Sequence, residues 1–100
     1  MNHTMRVQKY EPSEAVFKAL ANAKRLFILH ALSDKEMSVR DITRVMHVPM
    51  ANVSQHLTVL RYARLVKTRR DGTTVFYKAI DPRLIECCTT IQRLAKKGRK

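Results

Sequence analysis

A chain of 100 residues, 45% of them hydrophobic, has the length of one domain and enough apolar content to fold rather than stay disordered. Twenty Lys and Arg against eight Asp and Glu give a net charge of +12. Folding does not call for that surplus; it attracts polyanions, nucleic acid first among them. The longest apolar run is Leu26-Phe27-Ile28-Leu29, which excludes a membrane span, and no apolar leader follows the start. Two adjacent cysteines make no secreted-type disulfide framework, so the reading is a cytoplasmic protein with no membrane partner.

Residues 1–10 read as a flexible arm. Pro12 and Ser13 open a first short helix with Val16, Phe17 and Leu20 on one stripe. Asn22 caps a second helix over residues 23 to about 32, whose buried stripe is Leu26, Leu29, Ala31 and Leu32. The polar run 33–36 is a loop. Ser38 caps a third helix, and Asp41 three residues on completes a capping box. Val39, Ile42, Val45 and Met46 form its apolar face, and His47-Val48-Pro49 breaks it after about two turns. A fourth helix runs from residue 50 to about 63, with Val53, Leu57 and Leu60 at helical spacing. Two helices around so short a break are a helix-turn-helix signature.

Residues 65–70 and 73–78 flank Asp71-Gly72, and both runs are rich in β-branched and aromatic side chains. That is a strong hairpin signal, read as a wing. Asp81-Pro82 opens the last helix, whose apolar seam is Leu84, Cys87 or Cys88, Ile91, and Leu94 or Ala95. Residues 96–100 are a basic tail. The expected fold is mainly α with a small β-hairpin (α+β). It is a single winged helix-turn-helix domain over residues 1–100, with about five helices and a two-stranded wing.

Removing the buried stripe from the fourth helix leaves Ala51, Asn52, Ser54, Gln55, His56 and Thr58 facing outward. An ordinary solvated face carries Lys and Glu, and this one has neither. Asn and Gln pair bidentately with adenine edges, and Ser and Thr reach bases or phosphates, when such a helix enters the major groove. Arg61, Arg64, Lys67, Arg69 and Arg70 lie just beyond, with Thr73 and Thr74 at the hairpin tip. The expected division is sequence reading by the helix and phosphate anchoring by the arginines.

On these residues the chain resembles the ArsR/SmtB family of winged-helix repressors from about Phe17 to Lys78. Three segments carry the resemblance: residues 20–29, Val53-Ser54-Gln55-His56-Leu57-Thr58-Val59-Leu60, and residues 63–72 leading into Val75-Phe76-Tyr77. The resemblance implies a homodimer with first and last helices packed across the two-fold axis, through Val16, Phe17, Leu20, Leu84, Cys88, Ile91 and Leu94. It also implies an inverted-repeat operator, repression while bound, and release by an inducer. Its base-reading helix falls on Asn52, Ser54, Gln55 and His56, and its wing on residues 69–74. Two positions depart from the family pattern: His47 and Arg64 stand where glycine is usual. A side chain in a left-handed conformation there costs on the order of 1 kcal/mol.

The metal sites the resemblance implies are mostly missing. Ser38-Val39-Arg40-Asp41 has no thiol where one site type needs Cys-x-Cys. Asp81 and Glu86 stand on a last helix without histidine, and His3, His30, His47 and His56 are scattered. Cys87 and Cys88 admit two readings. They are small apolar fillers of the dimer seam, or a thiol sensor taking a soft metal, a metalloid or an oxidant, with the local basic surplus favouring thiolate. No other cofactor is indicated. With only Gly72 and Gly98 there is no phosphate-cradling loop and no nucleophile elbow, so an enzyme is not expected. The expected function is a sequence-specific regulator of transcription binding duplex DNA as a homodimer. The alternative is an architectural, nucleoid-type protein that binds all duplexes alike.

Overall fold

The structure, a computed structural model, describes residues 3–98; the outer ends of the expected arm and basic tail lie outside them. Its elements, in chain order, are α1 (His3–Gln8), a 3-10 turn (Glu11–Ser13), α2 (Glu14–Leu20), α3 (Ala23–Ala31), β1 (Met37–Ser38), α4 (Val39–Met46), α5 (Met50–Tyr62), β2 (Val66–Asp71), β3 (Thr74–Ala79) and α6 (Arg83–Lys97). All five expected helices are present. The sixth, α1, occupies the expected arm, and the last helix takes in Lys96 and Lys97 of the expected tail.

Three helix starts, those of α3, α4 and α6, follow side-chain chemistry, whereas α2 and α5 begin without a side-chain cap bond. The Asn22 side chain accepts the Arg25 amide at 3.1 Å. At α4 the box closes in both directions: the Asp41 amide donates to Ser38 Oγ at 3.1 Å, and the Ser38 amide donates to Asp41 Oδ2 at 3.0 Å. Those bonds hold the Asp41 carboxyl below its ordinary range, the Ser38 backbone contributing most. The Asp81 carboxylate takes the Arg83 amide at 2.8 Å and the Arg83 guanidinium at 2.8 and 3.1 Å, which fixes the entry to α6. The Asp81 carboxyl is thereby lowered to about 2.

Helix ends rely on two strained residues. Leaving α4, His47 takes φ 58° and its amide donates to Thr43 O at 2.9 Å. Leaving α5, Arg64 takes φ 62°. Its amide donates to Arg61 O and the Leu65 amide donates to Leu60 O, both at 2.9 Å, which is the bonding of a Schellman end. Both are the positions at which the resemblance leads one to expect glycine.

The wing differs from expectation in two respects, a third strand and a turn one residue later than Asp71-Gly72. It is a three-stranded antiparallel sheet of order β1-β3-β2, because Met37 and Ser38 pair with Tyr77 and Phe76. The β2–β3 turn is Gly72-Thr73, between the Asp71–Thr74 pair. Positive φ falls on the first central residue, Gly72, as in a type II′ turn.

The core is Ile28, Leu29 and Leu32 of α3 and its end, Ile42 of α4, and Val53, Leu57 and Leu60 of α5, all essentially without solvent contact. Ile28 belongs to it and Leu26 is only half-buried, because α3 turns the 28–29–32 arc inward. Val45, expected on the buried face of α4, is exposed for a similar reason: a helix of eight residues has one inward position per turn, and Ile42 and Met46 fill it. Sheet and helices are tied by the Ala79 amide donating to Leu32 O and the Ile80 amide to Leu65 O, each at 3.0 Å. No helix of the described residues is long and apolar enough to cross a membrane.

Candidate nucleic-acid interface

Burying Val53, Leu57 and Leu60 against α3 and α4 turns the opposite face of α5 to solvent. Ala51, Asn52, Ser54, Gln55 and Thr58 are all exposed there, on a helix without a single acid. The Thr58 hydroxyl already donates to Ser54 O at 2.9 Å, so its free capacity is as an acceptor. Met50, Val59 and Tyr62 share the exposed surface. Tyr62, 86% exposed at the far end, lies outside the expected set of reading residues. Its signal was its position, since it follows Gln55 and Thr58 on the same face.

His56 does not face outward as expected. It sits on the flank of α5, half-buried, and burial lowers its pKa, with Arg25 and Lys24 of α3 lowering it further. Arg25 is itself held: its Nε donates to Ala19 O at 2.6 Å and its Nη2 to Lys18 O at 3.1 Å, closing the end of α2. The imidazole therefore lies beside a fixed cation, where the neutral form is favoured.

Strand register sorts the wing's cations. Residues opposite one another in an antiparallel pair share a face. Val66 opposite Ala79, Thr68 opposite Tyr77, and Arg70 opposite Val75 form the face turned toward the helices; Val66, Ala79 and Tyr77 pack on the core, while Thr68 and Arg70 stay exposed. Lys67 opposite Lys78, and Arg69 opposite Phe76, form the other face. Two clefts separate the first face from α5. One is lined by Arg40, Met50, Thr73, Thr74, Val75 and Tyr77, the other by Thr58, Arg61, Tyr62, Arg64 and Tyr77. Arg40, in the first turn of α4, carries no local signal for this role. It is an exposed cation beside the start of α5 that only the packing of α4 on the sheet brings there.

The expected anchor set is only partly free. Arg61, Arg64, Lys67 and Arg70 make no ion pair among the described residues. Arg69 does: its Nε donates to Glu36 Oε2 at 2.8 Å, and its guanidinium stacks over Phe76 at 4.9 Å. The loop residue that captures it is distant in sequence and close in space because β1 pairs with β3.

The other expected surface is apolar. Phe17 of α2 and Ile91 and Leu94 of α6 are 59%, 58% and 65% exposed, and α6 contributes no fully buried residue. Val16, Leu20, Leu84 and Cys88 are half-buried beside them. The cysteines diverge as neighbours on a helix must: Cys87 is exposed, and Cys88 lines a groove against α3 with Phe27, His30 and Ile85. Burial raises the Cys88 thiol, and Cys87 raises it further. At Cys88 these two effects oppose any pull toward thiolate from the chain's basic surplus. No cluster of three potential metal ligands occurs among the described residues.

Comparison with known proteins agrees with this geometry. Residues 22–68 match the family model described as "Bacterial regulatory protein, arsR family". The chain is 54% identical over 63 residues to the HTH-type transcriptional regulator KmtR of Mycobacterium tuberculosis, 63% of this chain and 48% of that protein. It is 35% identical over 89 residues to an uncharacterised HTH-type transcriptional regulator of Methanocaldococcus jannaschii, 88% of this chain and 100% of that protein. Among solved structures, a homodimeric winged helix-turn-helix DNA-binding domain from Mycobacterium bovis superposes with a TM-score of 0.81 at 26% identity, over 100% of this chain and 93% of that one. With a helix-turn-helix and wing of this geometry and a relative aligned over its whole length, the chain belongs to the ArsR family of winged helix-turn-helix transcriptional regulators.

Proposed function

We propose that two copies of this chain bind an inverted-repeat DNA operator, each laying the N-terminal half of α5 in a major groove, and repress transcription while bound. The observation that carries this reading is the exposed face of α5: Asn52, Ser54 and Gln55, free of acids, flanked by the unpaired Arg61, Arg64 and Arg70. Asn52 and Gln55 read base edges; the arginines hold phosphates and set the register. The bare apolar strip of Phe17, Ile91 and Leu94 is where the second copy packs, as the two-fold operator requires. Such a protein works in the cytoplasm, where its operator is. Release by a thiol-directed inducer would act at Cys87, the exposed thiol, rather than Cys88.

The test is selection of genomic fragments by the purified protein. A shared inverted repeat with half-sites about one helical turn apart, preferred over random duplex by roughly a thousandfold or more, supports the reading. On that fragment Gln55→Ala and Asn52→Ala each weaken binding by about 1–3 kcal/mol and relax preference at defined base pairs. Equal affinity for all duplexes would make the protein architectural instead.

A further inference from the structure

Arg69 shares a face with Lys67 and Lys78 but is held as neither of them is. Register puts its side chain on the face opposite Arg70, away from the clefts beside α5. There it is gripped from two sides, by Glu36 at 2.8 Å and by the Phe76 ring at 4.9 Å. Glu36 immediately precedes β1, and β1 runs directly into the Ser38–Asp41 box that starts α4. A contact between Glu36 and Arg69 therefore ties the middle of the β2–β3 finger to the start of the helix-turn-helix. Two residue pairs of β1 with β3 and the packing of α4 on β3 are the neighbouring ties. A two-stranded finger is marginally stable in water without such support.

We propose that Arg69 is a positioning residue. With Glu36 and Phe76 it clamps the finger at a fixed angle to α5, and the phosphate contact at the finger is made by Arg70. This rests on the DNA-binding reading above only for its second half; the clamp itself exists in the free protein. A phosphate-binding Arg69 would behave differently in one respect that needs no knowledge of the operator. It would need a positive charge at position 69, whereas the ion pair of the clamp, its tie to the residue before β1, needs only opposite charges at 36 and 69; the Phe76 contact is lost in every Arg69→Glu variant alike.

The charge swap Glu36→Arg with Arg69→Glu decides between them, because it leaves the net charge of the chain unchanged. In the free protein, backbone amides of residues 67–78 exchange faster in Arg69→Glu than in wild type, and the added Glu36→Arg returns them toward wild type. This arm is read without DNA, so it stands even if no operator is found. On the selected genomic fragment, or on a random 30-base-pair duplex at low salt, the swap binds within about twofold of wild type. A surface pair is worth under ~1 kcal/mol, so Arg69→Glu alone weakens binding about two- to fivefold through loss of the clamp. Like-charge repulsion from phosphate adds to that. The dependence of log affinity on log salt keeps its slope in the swap, whereas Arg70→Gln lowers it by about 0.9 per wing. A swap that binds as poorly as Arg69→Glu, with the slope reduced, would overturn the proposal, as would wing amides unchanged by Arg69→Glu.

Discussion

Arg64 shows how one residue serves two ends that conflict. Its φ of 62° closes the Schellman end of α5, which sends the chain into β2 at the angle the wing needs. Glycine adopts that conformation freely; an arginine loses on the order of 1 kcal/mol to do so. Gly72, at the same φ, has open space around its Cβ position, so the conformation alone selects glycine there. At position 64 the guanidinium lines the cleft with Arg61, Thr58 and Tyr77, where a phosphate would find it. Arg64→Gly is therefore expected to raise stability by ~1 kcal/mol, a rise in Tm of roughly 4–8 °C at fixed protein concentration. The same variant is expected to bind DNA more weakly, with a shallower salt dependence. Thermal unfolding and a salt titration check the pair of effects. A variant that is less stable than wild type would show that the left-handed turn is not where the strain lies.

At the scale of elements, most of this fold is legible in local chemistry. Asn22, Ser38 and Asp81 each announce a helix start, and each accepts the amide that capping requires. Asp71-Gly72 announces the turn, and the spacing of Val53, Leu57 and Leu60 announces the buried side of α5. What escapes is what long-range packing decides. Two residues of β1 carry no local signal and become a strand only because β3 offers an edge. The Glu36–Arg69 pair spans the same gap, so in sequence Arg69 looks as free as Arg70. The flank position of His56 depends on where Arg25 is held, and no helical periodicity shows that. The α4 cap offers a direct measure of a legible element. Asp41→Ala is expected to cost about 1 kcal/mol at neutral pH, within the range for losing a cap. The Asp41 carboxyl titrates below its unfolded value, so its contribution is present above the ordinary range near ~4 and is lost as pH falls through the folded value. The gap between wild type and variant, measured by denaturant unfolding, is therefore expected to narrow on acidification. A gap that widens toward acid would mean that the box does not hold the charged form.

At the scale of the whole molecule, charge and apolar surface pull against each other. Each copy carries +12, so bringing two together costs repulsion, while burying Phe17, Ile91 and Leu94 favours it. Added salt screens the repulsion over about 10 Å at 0.1 M and leaves the apolar contact intact. Self-association is therefore expected to tighten as salt is raised from ~0.05 to ~0.5 M, while DNA binding loosens over the same range through counterion uptake. Opposite signs from one variable separate the two surfaces without mutation. Ile91→Asp then separates them by residue. It lies on the exposed strip of α6, and Leu84 and Ile85, which pack on the core, are untouched. The variant is expected to sediment as a folded monomer. Once the half-sites are no longer read by one linked pair, affinity for an inverted repeat is expected to fall by roughly 10²-fold or more. Binding to a single half-site should change little, because α5 and the wing are far from the substitution in the chain and share no cleft with it. A variant that stays dimeric would remove Ile91 from the interface, and a monomer that keeps full affinity for the repeat would show that the two reading helices do not act as a linked pair.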